Sequence, residues 1–313
     1  MLRPGLRLDA LGASAASLLA VLPSAGKQEP RMPRPVLLVT GTSTGIGRVT
    51  AVEAARSGWQ VVATVRDSER AEGLRAAAAE ARVDMDIREL DVTDADSVAV
   101  CLDTVQKEHG RLDALVNNAG VGHLGTAEHE DPAELRRVME VNFFGTVAVT
   151  RAALPMLRCS RGRIVTVSSI GGAVGQPFAE AYCAAKFAVE GFFESLAPVA
   201  ATVGVQVSLV EPGAVRSSFV ENAGIDASAM LAQAGPYASA LSAYLDRAAS
   251  TFSSTHAQDP GDVAAVILRT LREEMPPFRV QTSDWAERFV STKLSDIDGS
   301  RVQAAMRGWI ATR

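Results

Sequence analysis

From residue 36 onward, short runs rich in Val, Ile and Leu alternate with longer Ala- and Leu-rich segments of helical periodicity. This alternation is typical of strands that are joined by crossover helices and pair as a parallel sheet. Several runs are apolar almost throughout, as strands covered on both faces must be. The chain is therefore predicted to be α/β, with one doubly wound parallel sheet. The predicted strands are Val36–Thr40, Gln60–Val65, Val83–Leu90, Leu112–Asn117, Arg163–Ser168, Val205–Glu211 and Phe278–Thr282.

A glycine-rich turn follows the first predicted strand and leads into an Ala-rich helix. Ligands of such sheets bind beyond the carboxyl ends of the strands. Glycines let a pyrophosphate approach backbone N–H groups at a helix N-terminus, where the helix dipole favours negative charge. An ordinary strand-to-helix turn can have the same composition, so the turn alone does not establish a nucleotide site. Its candidate cofactor-binding residues are Gly41, Ser43, Thr44, Gly45, Ile46 and Gly47.

The end of the second strand bears on the choice of coenzyme. An NAD-specific site places an acidic side chain there, roughly 20 residues past the glycines, against the ribose 2′-hydroxyl. In this chain Val65 occupies that position and Arg66 follows it. Because a guanidinium pairs with a 2′-phosphate, NADP(H) is predicted to be preferred, with NAD(H) still possible. Asp67 is interpreted as a helix N-cap, with a ribose contact as the alternative.

Tyr182 and Lys186 are four residues apart in a predicted helix, so their side chains share one face. An ammonium beside a phenol favours the phenolate, and the pKa of Tyr182 is therefore expected to fall below its usual value of about 10. Such a shift would help general acid–base catalysis near neutral pH. Ser169 ends the preceding strand, where its hydroxyl can hold a substrate oxygen. A Tyr–Lys pair alone is common in helices with no catalytic role.

These motifs, taken in order over residues 36–217, resemble those of the short-chain dehydrogenases/reductases. The resemblance implies a Rossmann-type fold and hydride transfer between a nicotinamide coenzyme and an alcohol or ketone. It implies catalytic roles for Ser169, Tyr182 and Lys186, with Asn142 supporting a proton-relay water, and a homodimer or homotetramer. Ser217 stands where the family often has threonine and keeps the hydroxyl. The further coenzyme contacts that it implies are Asp91, Val92, Asn118, Ala119, Gly120, Tyr182, Lys186, Pro212, Gly213, Val215 and Ser217.

The C-terminal third carries the substrate prediction. In the family this region holds a substrate lid, here predicted at about residues 214–255. Residues 178–196 and 276–300 particularly resemble the 17-beta-hydroxysteroid and retinol dehydrogenase group, which implies a bulky hydrophobic alcohol or ketone as substrate. Two alternatives stay open: reduction of a 3-oxoacyl thioester, and a sensor or scaffold that binds NADP(H) without turnover. The long chain past Glu221 disfavours the first, and the intact Ser169, Tyr182 and Lys186 disfavour the second.

Composition excludes several kinds of partner. The net charge of −5, from 31 basic and 36 acidic side chains with no long basic cluster, excludes a nucleic-acid partner. Cys101, Cys159 and Cys183 form no CxxC pair, which indicates a reducing compartment and hence a cytoplasmic location. The four histidines lack the spacing of metal ligands, so no metal is expected.

The first 34 residues differ from the rest. The uncharged stretch over residues 10–22 is shorter than the roughly 20 apolar residues of a membrane helix, so no integral membrane span is expected. Arg3 and Arg7 precede it, as in a weak signal peptide, but no clear A-x-A cleavage site follows. We predict a disordered extension, or a reading frame that is assigned too early with Met32 as the true start. The dehydrogenase domain is predicted to occupy residues 35–313.

Overall fold

The computed structural model describes residues 34–217, 226–253, 257–296, 298 and 300–310. The predicted N-terminal extension, apart from Arg34, lies outside the described residues. Two parts of the predicted lid, residues 218–225 and 254–255, also lie outside them.

A seven-stranded sheet forms the centre of the described structure. Its strands are β1 (Val36–Val39), β2 (Gln60–Val65), β3 (Asp86–Glu89), β4 (Ala114–Asn117), β5 (Arg163–Val167), β6 (Gln206–Glu211) and β7 (Arg279–Gln281). They lie in the order β3-β2-β1-β4-β5-β6-β7, and every neighbouring pair is parallel. The strand order reverses between β1 and β4, which opens the crevice where doubly wound sheets bind ligands. The predicted fold class and all seven strands are confirmed.

Four strand starts were predicted too early, by one residue at β6 and β7, two at β4 and three at β3. The predicted third strand began at Val83, whereas β3 begins at Asp86. The preceding helix explains the difference, because Arg82 takes the left-handed conformation that ends it, with φ +54°. The N–H of Val83 then donates to Ala78 O at 3.0 Å, so Val83 closes the helix instead of pairing in the sheet.

Twelve α-helices connect and cover the strands in the described part of the chain. They are α1 (Gly45–Arg56), α2 (Glu72–Ala81), α3 (Ala95–His109), α4 (Pro132–Met139), α5 (Gly145–Ser160), α6 (Ile170–Ala173), α7 (Glu180–Ala201), α8 (Ala227–Gln233), α9 (Ala238–Ser253), α10 (Pro260–Arg272), α11 (Asp284–Leu294) and α12 (Ser300–Ile310). Short 3₁₀ turns at Ser68–Ala71 and Gly235–Tyr237 and a π-helical turn at Glu140–Phe144 complete the set.

The core has two layers, one on each face of the sheet. On one face α3, α5 and α7 bury Leu102, Leu157 and Phe193 against the strands. On the other face α1 and α10 bury Ala51 and Ile267. Because both faces are covered, the strands read as continuous apolar runs, which is why the sequence pattern identified them.

An ion-pair network attaches the edge strand β7. Arg279 Nε lies 2.9 Å from a Glu190 oxygen and 3.4 Å from a Glu211 oxygen. Gln281 also donates to Glu211 at 2.8 Å. Glu211 is fully buried, and this burial raises its pKa to about 7. The network fixes the start of the C-terminal region, which continues through α11 and α12.

The C-terminal helices pack over the carboxyl ends of the strands. Helix α11 contacts α6 through Trp285, Ala286 and Val290, while α12 contacts α9. Trp309 of α12 packs with Phe178, Leu241 and Tyr244 in one apolar cluster. Among the described residues, every helix is too short or too polar to cross a membrane.

Candidate active site

The glycine turn after β1 is packed too tightly for side chains at two positions. Gly41 has φ +69°, and a Cβ there would lie 2.8 Å from the backbone of Ala119. A Cβ on Gly47 would lie 2.3 Å from both Gly41 O and Asn118 Nδ2. The turn therefore rests directly on the loop after β4, with its N–H groups at the N-terminus of α1. This arrangement fits a coenzyme pyrophosphate, which needs close backbone approach at a helix N-terminus.

Hydrogen bonds join that turn to the β4 loop. Asn118 Nδ2 donates to Thr40 O and Gly41 O, both at 2.9 Å. In the other direction, Thr40 Oγ1 accepts from the N–H groups of Asn118 and Ala119 at 2.9 and 3.0 Å. Thr40 was predicted only as a strand residue. The Thr40 hydroxyl can accept these hydrogen bonds because β1 and β4 are neighbours in the sheet. No local sequence signal shows that the two strands are neighbours.

Two arginines line the cavity just after β2. They are Arg66 and Arg70, and Arg70 was missed in the sequence. Asp67 accepts from Arg70 N at 3.1 Å and pairs with Arg70 Nε at 3.0 Å. The N-cap interpretation of Asp67 is thus confirmed. The Asp67–Arg70 spacing of three residues on a short helix was the available signal for Arg70.

Asp91 and the Pro212–Gly213 loop line the same cavity. Thr93 holds the Asp91 carboxylate, donating from its N–H at 2.9 Å and from its hydroxyl at 2.7 Å. A Cβ on Gly213 would lie 2.9 Å from the Trp285 indole, so this glycine makes room for an aromatic ring that the sequence interpretation did not assign. Val215, further along the same loop, pairs as an isolated bridge with Gln258.

Ser169, Tyr182 and Lys186 come together from two different elements. Ser169 caps α6, accepting from Gly171 N at 3.0 Å, and it forms a hydrogen bond with Tyr182. A Cβ on Gly171 would lie 3.3 Å from the Tyr182 ring and 3.4 Å from Ser169 Oγ, so this glycine lets the two side chains meet. Lys186 Nζ lies 5.9 Å from the centre of the Tyr182 ring and donates to Val167 O at 2.9 Å.

We expected the pKa of Tyr182 to fall, and for the protein without coenzyme this direction was wrong. Burial raises the pKa of Tyr182 to about 12, although the hydrogen bond with Ser169 opposes the rise. Burial also lowers the pKa of Lys186 to about 8, against the opposing effect of Glu190. Desolvation is thus the largest cause of both pKa shifts, because it penalises the charged form of each group.

Asn142 lies on the π-helical turn between α4 and α5 and is fully buried. Its side chain bridges to Val121, accepting from the N–H at 3.0 Å and donating to the carbonyl at 2.9 Å. A Cβ on Gly120 would lie 2.7 Å from Asn142 Oδ1 and 3.8 Å from Lys186 Nζ. Asn142 thus lies close to Lys186 and holds the β4 loop in place. A π-helical turn inside a helix is often a sign of function.

The predicted site residues border one cavity of about 1200 Å³. Gly47 and Asn142 are the exceptions: both are buried behind the lining, where they support it. Several residues that line the cavity were not predicted as part of the site. For the aromatic residues among them, the only sequence signal was their clustering near the C-terminus. The unpredicted lining residues include Arg70, His123, Leu231, Tyr244, Leu245, Trp285 and Trp309.

Three acidic or basic side chains come together far from this cavity. Asp86, Glu108 and His109 place one ligand-type atom each within 4.8 Å of one another. Arg88 forms ion pairs with both carboxylates, and His109 Nε2 lies 3.0 Å from Asp86, so these side chains already pair with one another. The cluster is therefore accounted for as an ion-pair network between β3 and α3.

Known proteins share this arrangement. The family model for short chain dehydrogenase matches residues 35–228. Retinol dehydrogenase 8 from Bos taurus is 40% identical over 277 residues, covering 86% of this chain and 87% of the relative. Human 17-beta-hydroxysteroid dehydrogenase type 1 is 37% identical over 284 residues, covering 88% and 85%.

Solved structures agree with these relatives. A short-chain dehydrogenase from Streptomyces avermitilis superposes with a TM-score of 0.68 at 31% identity, covering 88% of this chain and 98% of that one. A variant of actinorhodin polyketide ketoreductase, solved with NADPH, has a TM-score of 0.68 at 28% identity, covering 79% and 95%. The chain belongs to the short-chain dehydrogenase/reductase family and is an oxidoreductase.

Proposed function

We propose that this protein transfers a hydride between NADP(H) and a bulky hydrophobic alcohol or ketone. The observation that carries the proposal is the hydrogen bond between Ser169 and Tyr182, one helical turn from Lys186, in the cavity that also contains the glycine turn. A bound nicotinamide would supply or accept the hydride. Gly41, Ser43, Thr44, Gly45, Ile46 and the walls formed by Asn118–Gly120 and Pro212–Ser217 would hold the coenzyme.

The chain's own residues would handle the substrate oxygen and its proton. Ser169 would donate a hydrogen bond to that oxygen and hold it beside Tyr182. In the direction of reduction Tyr182 would give its hydroxyl proton to the oxygen, and in oxidation it would take the proton back. Lys186 would stabilise the phenolate through its charge. Asn142 would support the chain of hydrogen bonds that returns the proton from solvent.

The preference for NADP(H) is supported by charge. Arg66 and Arg70 both line the adenosine end of the cavity, and a guanidinium binds a phosphate through charge-assisted hydrogen bonds. The polyketide ketoreductase named above holds NADPH, which agrees with this preference. NAD(H) remains a possible coenzyme, because nothing in the glycine turn discriminates between the two.

The substrate class is supported by the cavity lining. Leu231, Tyr244, Leu245, Trp285 and Trp309 supply apolar and aromatic surface from the C-terminal helices, as sites for hydrophobic ligands require. The names of the two relatives point to retinoid and steroid alcohols. We propose that residues 214–255 act as a lid that excludes water from this part of the cavity, within a dehydrogenase domain of residues 35–313.

An assay of NADPH and NADH oxidation against steroids, retinoids, aliphatic ketones and 3-oxoacyl thioesters tests the proposal. Turnover of a bulky apolar ketone with NADPH is the expected result. Turnover of only the thioesters would reassign the substrate. Coenzyme binding without turnover of any compound in either direction would indicate a sensor or scaffold instead.

Assembly and location are part of the proposal. Leu135 of α4 and Phe144 of the π-helical turn that follows it expose large apolar side chains. This exposure supports association into a homodimer or homotetramer. Light scattering on the purified protein measures this mass directly. Three cysteines without disulfides, one of them exposed, support a reducing, cytoplasmic location, which cell fractionation tests.

A further inference from the structure

His123 is a polar residue in the substrate part of the cavity that the proposed chemistry does not use. It lies in the loop between β4 and α4 and lines the cavity. It comes three residues after Gly120, where a Cβ would lie 3.8 Å from Lys186 Nζ. Because three residues span at most about 11 Å, the backbone of His123 lies within that distance of Gly120, which is beside Lys186.

A carboxylate lies beside the imidazole ring. His123 Nε2 lies 2.5 Å from Glu130 Oε1, with the side chains only 13% and 8% exposed. Glu130 itself packs over Gly125, where a Cβ would lie 2.5 Å from Glu130 Oε2. Partial desolvation raises the pKa of Glu180, with Glu130 adding to the rise and His123 opposing it, so all three groups form one electrostatic cluster.

This arrangement leaves hydrogen-bonding capacity on the ring. Although His123 Nε2 lies beside Glu130, its N–H is not aimed at the carboxylate, and the nitrogen has no hydrogen-bond partner among the described residues. Because Nε2 is buried against Glu130, we take Nδ1 as the nitrogen that meets a molecule in the cavity. Nδ1 accepts or donates a hydrogen bond according to which nitrogens carry a proton. A hydroxyl group can satisfy either form.

The cluster has no evident value for packing. Leu124 and Ala179, which line the same part of the cavity, are apolar. Replacing a buried ion pair by apolar residues of similar volume is often neutral or stabilising, so stability does not explain a nearly buried His–Glu pair here. An oriented hydrogen-bonding group on the wall of a largely apolar cavity is what specificity sites typically use.

We propose that His123, which is nearly buried beside Glu130 and lines the cavity, is a second polar anchor for the substrate and binds a hydroxyl group remote from the reacting carbon. The substrate class is then an apolar ketone or alcohol that carries a second hydroxyl. This inference rests on the proposed oxidoreductase function. It adds a specificity-determining residue and leaves the roles of Ser169, Tyr182 and Lys186 unchanged.

The test uses pairs of ketones with the same carbon skeleton, with and without a hydroxyl at successive positions away from the carbonyl. In the wild-type protein, kcat/KM with NADPH should favour the hydroxylated ketone at one position by about tenfold or more. His123→Leu should reduce this ratio to about one. His123→Asn, which keeps a polar atom near Nδ1, should retain part of the preference.

A binding measurement separates this inference from the catalytic proposal. The matching alcohols and diols are titrated into the NADPH-loaded protein, and quenching of tryptophan fluorescence reports binding because Trp285 and Trp309 line the cavity. If no ketone is turned over, the catalytic proposal fails, while a diol preference that His123→Leu abolishes still supports the anchor.

His129→Leu is the matched control, since it removes a histidine from the same loop that contacts Tyr237 instead of lining the cavity. It should keep the wild-type ratio. The anchor is refuted if His123→Leu, with unchanged circular dichroism and NADPH affinity, keeps the wild-type ratio. It is equally refuted if the wild-type protein shows no hydroxyl preference in either assay.

Discussion

Lys186 Nζ lies 5.9 Å from the centre of the Tyr182 ring and donates a 2.9 Å hydrogen bond to Val167 O. The lysine therefore approaches the phenol while it is attached to the end of β5. In the protein alone, burial raises the pKa of Tyr182 to about 12, so the phenol is neutral at pH 7, and it lowers the pKa of Lys186 to about 8, so the lysine is still mostly protonated there. The proton on Lys186 is thus the one that changes most readily near physiological pH.

Tyr182→Phe should remove nearly all turnover, by a factor of about 10³ or more, because general acid–base groups commonly contribute 10²–10⁴. NADPH affinity should remain nearly unchanged, since the ring itself is kept. Steady-state kinetics and fluorescence titration with NADPH measure the two effects. Tyr237→Phe, at a 40% exposed tyrosine outside the cavity lining, should keep full activity. Unaltered activity in Tyr182→Phe would remove the tyrosine from the mechanism.

Lys186→Met should make the protein more stable at pH 7, by about 1–3 kcal/mol, while abolishing activity. The folded pKa of about 8 lies below the ordinary 10.5, so a protonated, buried lysine destabilises the fold at pH 7. The lost bond to Val167 offsets part of the gain.

The sign gives a pH test of the same variant. As pH rises from about 8 to 10.5, the free energy of unfolding of the wild type should increase relative to that of Lys186→Met. Over this range the folded protein has released the lysine proton, whereas the unfolded chain still holds it. Urea unfolding at several pH values measures the difference. A variant that is less stable than wild type at pH 7 would contradict the desolvation argument.

Arg66→Ala should reduce the preference for NADPH over NADH by about 1–3 kcal/mol, the value of a hydrogen bond to a charged group. The ratio of kcat/KM for the two coenzymes is the measurement. Arg56→Ala is a suitable control, because Arg56 pairs with Glu53 at the other end of α1. Equal ratios in Arg66→Ala and wild type would show that another residue, with Arg70 the first candidate, reads the 2′-phosphate.

Two helical glycines should respond oppositely to alanine. In Gly47→Ala the new Cβ would lie 2.3 Å from Gly41 O and Asn118 Nδ2, so the turn must shift and NADPH affinity should fall at least tenfold. Gly191→Ala meets nothing within 4 Å and should stabilise α7 by about 0.5–1 kcal/mol. Thermal unfolding and NADPH titration report both effects, and full NADPH affinity in Gly47→Ala would show that the turn is not the coenzyme site.

Much of the site was predictable because it follows local rules. Ligands of such a sheet bind at the loops that follow its strands, so spacing could place the glycine turn, Arg66, Ser169 and the Tyr182–Lys186 pair around one cavity, while their roles came from the family resemblance. Asp67 was likewise identified as an N-cap from its position before Ser68, as the structure confirms. These features depend on a few consecutive residues and on backbone geometry.

Other features depend on which distant segments meet. Thr40 contacts Asn118 across 78 residues, and Trp285 packs on Gly213 across 72, and nothing near either residue indicates its partner. The wrong direction for the Tyr182 pKa has the same origin, since the spacing showed the neighbouring lysine but not how deeply the phenol is buried.

The sequence by itself determined the α/β sheet and the glycine turn after its first strand, because periodicity and short-range spacing encode them directly. Only the tertiary structure decided the charge state of Tyr182 and Lys186, the aromatic walls of the cavity and the pairing of His123 with Glu130. Burial and contacts between remote segments set these properties, because desolvation depends on everything that surrounds a group and not on its neighbours in the chain.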